Sequence, residues 1–297
     1  MFPLKDNLPT QRFPILTVLL VVLNIGGYIW QTQFEVDGEL SRAGLGSIDA
    51  SALEYGAIPH RITHPGESEC FLGVVAQGQA ELSQEVVCQG TPELAEAERR
   101  AGESAIGPGG EPQTVEQPQP LDQAAWWVTV LTSMFMHGGI LHLGGNMLFL
   151  WIFGNNIEDS MGRGRFLVFY LMAGVAAVYA QSALDPGATV PTIGASGAVA
   201  GVLGAYALLH PRARVLTLIF IVFFVTLIEI PAMIVLGIWF ILQFLPAVGQ
   251  AAIPDAAGGG GVAYFAHVGG FIFGLLAIKL FANRTRDRST GPRDPVY

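Results

Sequence analysis

Residues 194–210 read Gly194-Ala195-Ser196-Gly197-Ala198-Val199-Ala200-Gly201-Val202-Leu203-Gly204-Ala205-Tyr206-Ala207-Leu208-Leu209-His210. The stretch holds no Asp, Glu, Lys or Arg, and glycine or alanine fills about half of it. Small residues at this density suit a helix that packs backbone against backbone inside lipid. Working outward, comparable apolar runs occupy 13–30, 141–157, 166–184, 215–247 and 262–282. The whole 297-residue chain is 51% hydrophobic and 13% charged, a balance that excludes an ordinary soluble domain. Its 15 Lys+Arg against 24 Asp+Glu give a net charge of −9, which leaves no basic field for nucleic acid. Its partner is a lipid bilayer.

Charge placement turns composition into topology. Residues 31–125 carry 16 Asp/Glu against 4 Lys/Arg, so the acidity is concentrated in one polar insert. Its Gly-, Pro- and Gln-rich stretch 106–120 predicts partial disorder. The run 13–30 is too long for a signal-peptide core and is followed by no small-residue cleavage site, so it is expected to be a retained span. With the N-terminus cytoplasmic, Lys5, Arg12, Arg163, Arg165, Arg212, Arg214, Lys279 and the Arg284/Arg286/Arg288/Arg293 tail all fall on the cytoplasmic side. Six crossings satisfy that pattern. The run 215–247 could hold two crossings, but two would put the basic tail outside. It is therefore read as an interfacial hairpin or re-entrant piece over 215–230, followed by one helix from Pro231 to about Phe244.

Polar side chains inside membrane spans are costly and mark function, and here they are His137, His142, Asn146, Ser196 and His267. His142 and Asn146 stand four apart and share a helix face, with His137 just before them in a glycine-containing loop. Ser196 sits between Gly194 and Gly197 at the start of an apolar helix, where free backbone N–H groups can stabilise an oxyanion and a substrate backbone can approach. A serine there is also a preferred N-cap. The pairs Gly197/Gly201 and Gly270/Gly274 have the G-x-x-x-G spacing of closely packed membrane helices, and packing of those two helices would bring Ser196 to His267. A serine beside a histidine is the minimum for nucleophilic hydrolysis. Neither Asp255 nor Glu229 is placed as a third member, so a dyad is expected, with no metal and no cofactor.

The set His137-x4-His142-x3-Asn146, Gly194-x-Ser196-Gly197 and Ala266-His267-x2-Gly270-x3-Gly274 resembles the rhomboid family of intramembrane serine proteases. The resemblance covers about 120–282 and the first helix. It implies Ser196 as nucleophile, His267 as general base, His142 and Asn146 as oxyanion donors with the Ser196 N–H, and a supporting role for His137. It also implies transmembrane protein substrates that unwind near the outer surface. The expected gate is the helix from Pro231 with the loop Gln250 to Gly261, whose Gly258–Gly261 run can flex. One departure is Trp126-Trp127-Val128, where many members carry Trp-Arg.

The expected fold is an all-α integral membrane protein, a six-transmembrane-helix rhomboid-like bundle with a long extracytoplasmic insert between helices 1 and 2. Its parts are a cytoplasmic N-terminus (1–12), helix 1 (13–30), the acidic insert (31–120), the catalytic domain (121–282) and a cytoplasmic basic tail (283–297). The expected location is the bacterial inner membrane. Cys70 and Cys88 lie in the insert, where they can form a disulfide, bind zinc with His60 and His64, or stay free. The other readings are a relative that binds membrane proteins without cutting them, a metalloprotease or metal transporter, and a channel. The metal readings lack H-E-x-x-H, and a secondary transporter would be expected to show an inverted repeat.

Overall fold

A short strand, β1 (Phe2–Asp6), precedes the first long helix, α1 (Ile15–Thr32), in the computed structural model, which describes residues 2–77, 81–106, 112–221, 224–252 and 262–282. Pro14 gives α1 no side-chain cap, and the free N–H groups at its start find a partner far along the chain. Glu158 Oε1 accepts from the Leu16 N–H at 3.1 Å, and its Oε2 accepts from the Thr17 N–H and hydroxyl, each at 2.8 Å.

The described part of the insert holds strands as well as helices, which corrects the all-α expectation. It carries α2 (Gly38–Arg42), α3 (Ser47–Tyr55), α4 (Pro59–Thr63), β2 (Cys70–Gln77), β3 (Glu81–Cys88), α5 (Pro92–Arg100), β4 (Ser104–Ile106), β5 (Pro112–Thr114) and β6 (Gln119–Pro120). The chain is therefore mostly helical rather than all-α. Of the stretch expected to be disordered, 107–111 lies outside the described residues. The physical reason for the strands is covalent and long-range. β2 and β3 pair antiparallel with Cys70 opposite Cys88, and the two are joined as a disulfide. Those sulfurs pack on fully buried Ile58. A disulfide closing a hairpin of this length is worth about 3 kcal/mol. Arg61 is buried beside it, donating to the Ser68 carbonyl at 2.7 Å and the Ala124 carbonyl at 3.0 Å. Burial lowers its pKa from the usual guanidinium value.

Downstream come α6 (Trp126–Thr132) with a 3-10 turn (Ser133–Phe135), α7 (Ile140–Phe149), a π-helical turn (Leu150–Gly154) and α8 (Asn155–Met161). The helix expected over 141–157 is this longer, bulged segment. Then follow α9 (Arg163–Leu184), α10 (Ser196–Leu209), β7 (Arg214–Ile221), β8 (Phe224–Pro231), α11 (Ala232–Ala252) and α12 (Tyr264–Phe281). Among the described residues, α1, α9, α11 and α12 are long and apolar enough to cross a membrane. α11 runs past the expected end at Phe244 and contains Pro246. Asp255, the Gly258–Gly261 run and the tail 283–297 lie outside the described residues.

The piece over 215–230 is a β-hairpin. β7 and β8 pair antiparallel from Arg214 opposite Pro231 to Ile221 opposite Phe224, as their Val, Ile, Thr and Phe content favours. β1 adds to β7, so the N-terminal segment is part of a three-stranded sheet in the order β1-β7-β8. Buried Asp6 anchors that sheet, accepting from Tyr206 Oη at 2.6 Å and Asn156 Nδ2 at 2.7 Å. Phe153, Phe166, Phe169, Tyr170, Leu203 and Tyr206 fill the centre of the bundle.

Candidate active site

The site is built where α10 and α12 touch. A Cβ on Gly270 would collide with the Gly197 carbonyl, one on Gly274 with the Gly201 carbonyl, and one on Gly204 with the Phe271 carbonyl. A Cβ on Gly201 would lie 3.3 Å from the Gly270 carbonyl oxygen. These helices approach backbone to backbone because glycine leaves nothing between them. On the other side of α10, a Cβ on Gly197 would strike Ala177 of α9.

That packing fixes two polar side chains at one end of the bundle. Ser196 opens α10 and His267 lies in the first turn of α12, with Ser196 Oγ 2.7 Å from His267 Nε2. Both are half-buried. The other ring nitrogen, His267 Nδ1, is 2.8 Å from Gln243 Oε1 on α11. A neutral imidazole carries one proton. With an amide oxygen facing Nδ1, that proton sits on Nδ1 and the Nε2 lone pair faces the serine hydroxyl. Gln181 Oε1 of α9 accepts from the Ala266 N–H at 3.3 Å and so steadies the start of α12. Trp239 of α11 covers the His267 ring at 6.1 Å between centroids. Gln243, an uncharged amide, stands behind the histidine where the sequence offers only Asp255 and Glu229 as carboxylates.

Gly194 is the turn into α10. Its φ of +128° lies in the left-handed region that favours glycine, and its N–H donates to the Ser133 carbonyl at 2.8 Å. A Cβ there would sit 2.9 Å from His142 Cε1 and Nε2 and 3.4 Å from Ser196 Oγ. His142 Nε2 and Ser196 Oγ therefore border the same small space. The Gly138 N–H points at His142 Nδ1 across 3.4 Å, so Nδ1 is the acceptor and Nε2 carries the proton facing that space. Buried Asn146, one helical turn after His142, has an amide Nδ2 with no partner among the described residues. An unpaired buried donor costs about 1–3 kcal/mol and calls for an explanation. Fully buried His137 touches the His142 ring edge to face at 5.2 Å between centroids, and its N–H donates to Gln31 Oε1 at 2.7 Å. Both of its ring nitrogens lack a partner among the described residues.

The insert reaches this site. Ala57 forms an antiparallel bridge with Thr192, and the His60 N–H donates to the Ala188 carbonyl at 3.0 Å. Thr132 Oγ1 donates to the Tyr55 carbonyl at 2.7 Å. Asp185, at the end of α9, accepts from Gln250 Nε2 at 3.2 Å, and burial raises its carboxyl above the usual range. Among the described residues no three His, Cys, Asp or Glu side chains are grouped to hold a metal ion.

Apolar helices packed through glycines, with a serine–histidine pair at one end, define a multi-pass integral membrane protein. A sequence model of the Rhomboid domain matches residues 124–284, more than half of the chain, and the chain belongs to the rhomboid family. It is 31% identical over 153 residues to the mitochondrial Rhomboid protein 1 of Saccharomyces cerevisiae, covering 50% of this chain and 40% of that one. To the Rhomboid protease GluP of Bacillus subtilis it is 45% identical over 83 residues, 28% of this chain and 16% of that one. The mitochondrial Presenilin-associated rhomboid-like protein of Homo sapiens is 35% identical over 97 residues, 32% and 25% of the two chains. The matches span less than half the length of these relatives.

Proposed function

We propose that this chain is an intramembrane serine endopeptidase that cleaves transmembrane proteins near the outer membrane–water boundary. The observation that carries this is the 2.7 Å contact between Ser196 Oγ and His267 Nε2, with the ring held from behind by Gln243. His267 Nε2 takes the Ser196 hydroxyl proton as Oγ attacks the scissile carbonyl. The tetrahedral oxyanion is met by the Ser196 N–H at the start of α10, by His142 Nε2 and by the unpaired amide of Asn146. Collapse breaks the C–N bond, and the imidazolium returns the proton to the leaving amine. Water then enters with His267 as base and releases the acyl group from Ser196. His137 supports His142 by packing.

Topology supports the depth of the cut. α10 has 14 residues and is about 21 Å long at ~1.5 Å per residue, short of the ~30 Å hydrocarbon core. With Leu209 near the cytoplasmic boundary, Ser196 lies below the outer surface, where substrate must unwind to expose a carbonyl. Six crossings put both termini in the cytoplasm and the acidic insert outside. The two beyond the four long helices are α10 and the segment from Ile140 to Met161. Eleven of the fifteen Lys and Arg then lie on the cytoplasmic side, and we place the protein in a bacterial inner membrane.

The test is cleavage of a single-span model substrate by the purified full chain, with Ser196→Ala, His267→Ala and EDTA. Loss in both variants and indifference to EDTA is the expected result. Cleavage that survives Ser196→Ala but not EDTA overturns the dyad. A folded wild type that cuts no substrate favours a protein that binds membrane segments without cutting them.

A further inference from the structure

We propose that Gln243 is a positioning residue for the general base, and that it makes the competence of His267 depend on the seating of α11. The proposal rests on the reading of Ser196 and His267 as a dyad. To take a proton from Ser196, His267 must present the lone pair of Nε2, which requires the proton on Nδ1. Gln243 Oε1 at 2.8 Å is the acceptor that Nδ1 has among the described residues. Were the amide turned over, its NH2 group would face Nδ1, force the proton to Nε2 and leave the ring no lone pair for the serine. Only the oxygen-inward arrangement is compatible with the short Nε2 contact to a donating hydroxyl.

The geometry ties this selection to a particular helix. Trp239, Phe240 and Gln243 form the face of α11 turned to α12, with Trp239 over His267 and Phe240 4.7 Å from Phe271 between ring centroids. The other face, with Ile238, Ile241, Leu242 and Leu245, is exposed at 40–62% among the described residues, as suits a side turned to lipid. Gln250, two turns after Gln243 on the same side, bonds Asp185 at the end of α9. Two amides thus hold α11 to the bundle, and one of them is bonded to the catalytic ring. A shift of α11 by one or two ångströms, as helices slide past each other, carries Gln243 Oε1 out of hydrogen-bond reach. The ring is then free to change tautomer, so acylation requires α11 seated.

The experiment compares the full chain in detergent micelles with Gln243→Met, which keeps the volume and removes the acceptor, and Gln243→Glu, which restores an acceptor oxygen. For each, kcat and KM on a model transmembrane substrate, the rate of Ser196 modification by a fluorophosphonate, and the thermal midpoint are measured. The expected result is a kcat lower by about 10–100-fold in Gln243→Met with KM within about two-fold, as for loss of an oriented base. Fluorophosphonate labelling should slow in step while the midpoint holds, and Gln243→Glu should recover much of the rate. Wild-type kcat and labelling in Gln243→Met overturn the assignment. So does an equal loss in Met and Glu variants that tracks the thermal midpoint, since that is packing alone. If Gln243→Met does not fold, Gln243→Asn, whose shorter amide falls short of Nδ1, is the substitute and must lose kcat in the same way. A folded wild type that neither cleaves nor labels overturns the dyad itself, whereas an active wild type matched by Gln243→Met overturns only the role of Gln243.

Discussion

Ala57 and Thr192 form a mutual backbone pair across the boundary between insert and membrane domain. The Thr192 N–H donates to the Ala57 carbonyl at 2.8 Å, and the Ala57 N–H donates to the Thr192 carbonyl at 3.1 Å. Thr192 is two residues before Gly194 and four before Ser196, so the insert holds the segment that leads into Ser196. Ile58, next to Ala57, packs on the Cys70–Cys88 disulfide. A covalent staple in the insert is therefore connected, through one side chain and one backbone pair, to the rim of the site.

Ala57→Pro removes the N–H of that pair and should lower cleavage about ten-fold while leaving the membrane helices folded, as judged by far-UV circular dichroism. The double variant Cys70→Ser/Cys88→Ser should lower the stability of the insert by about 3 kcal/mol and make α4 open to limited proteolysis. Wild-type cleavage in Ala57→Pro would mean that the insert merely sits beside the site.

Gly194→Ala tests the space shared by His142 and Ser196. The added methyl meets His142 Cε1 and Nε2 at 2.9 Å, on a backbone at φ +128° that L side chains rarely adopt. His142 must move away from the serine, so kcat should fall by about 100-fold or more, in the range seen for loss of an oxyanion donor. Fluorophosphonate labelling of Ser196 reports the same defect without a peptide. Unchanged kcat would remove His142 from the proposed oxyanion site.

Long apolar runs, G-x-x-x-G spacings and the isolated polar residues Ser196 and His267 were readable because each is local and periodic. The hairpin over 215–230 was readable from its β-branched content, but the strand Phe2–Asp6 that joins it was not, since its partner begins some two hundred residues later. The same holds for the insert. Composition recorded its Gly, Pro and Gln, yet Ala57 pairs with Thr192 and Thr132 with Tyr55. Those are contacts that composition does not encode. Gln243 was in plain view, the one side chain with an amide in the apolar stretch from Ala232 to Leu245. Polar residues in spans mark function whether or not they titrate.

Glu158 joins two distant segments at the other end of the bundle. Its carboxylate takes up three donors at the start of α1, and it is only 4% exposed. Glu158→Ala leaves those donors buried without acceptors, at about 1–3 kcal/mol for each group that water does not reach. The thermal midpoint should drop by several degrees, with exchange of the Leu16 and Thr17 amides accelerated most. Because Ser196 lies at the far end of α10, residual folded protein should keep its kcat. A kcat loss as large as the stability loss would show that the two ends are coupled.

Asp6 gives the N-terminal strand a pH dependence whose sign follows from its surroundings. Burial raises its carboxyl from the usual 3.8 to about 6, against the hydrogen bond from Tyr206 that favours the ionised form. The fold therefore holds its proton more tightly than the unfolded chain does. Below the unfolded value both states are protonated and Asp6 adds no slope. Between 3.8 and about 6 the unfolded chain has released a proton that the fold retains, so stability falls as pH rises. Above that window both states are ionised and the loss is complete. Asp6→Asn is neutral throughout and keeps an oxygen that can accept from Tyr206 Oη and Asn156 Nδ2. The difference in thermal midpoint, variant minus wild type, should grow in the variant's favour across that window and level off above it. Amide exchange in β1 should follow the same curve, because Asp6 is the strand's own anchor. Parallel pH curves for the two proteins would place the proton elsewhere and leave the strand held by its pairing with β7 alone.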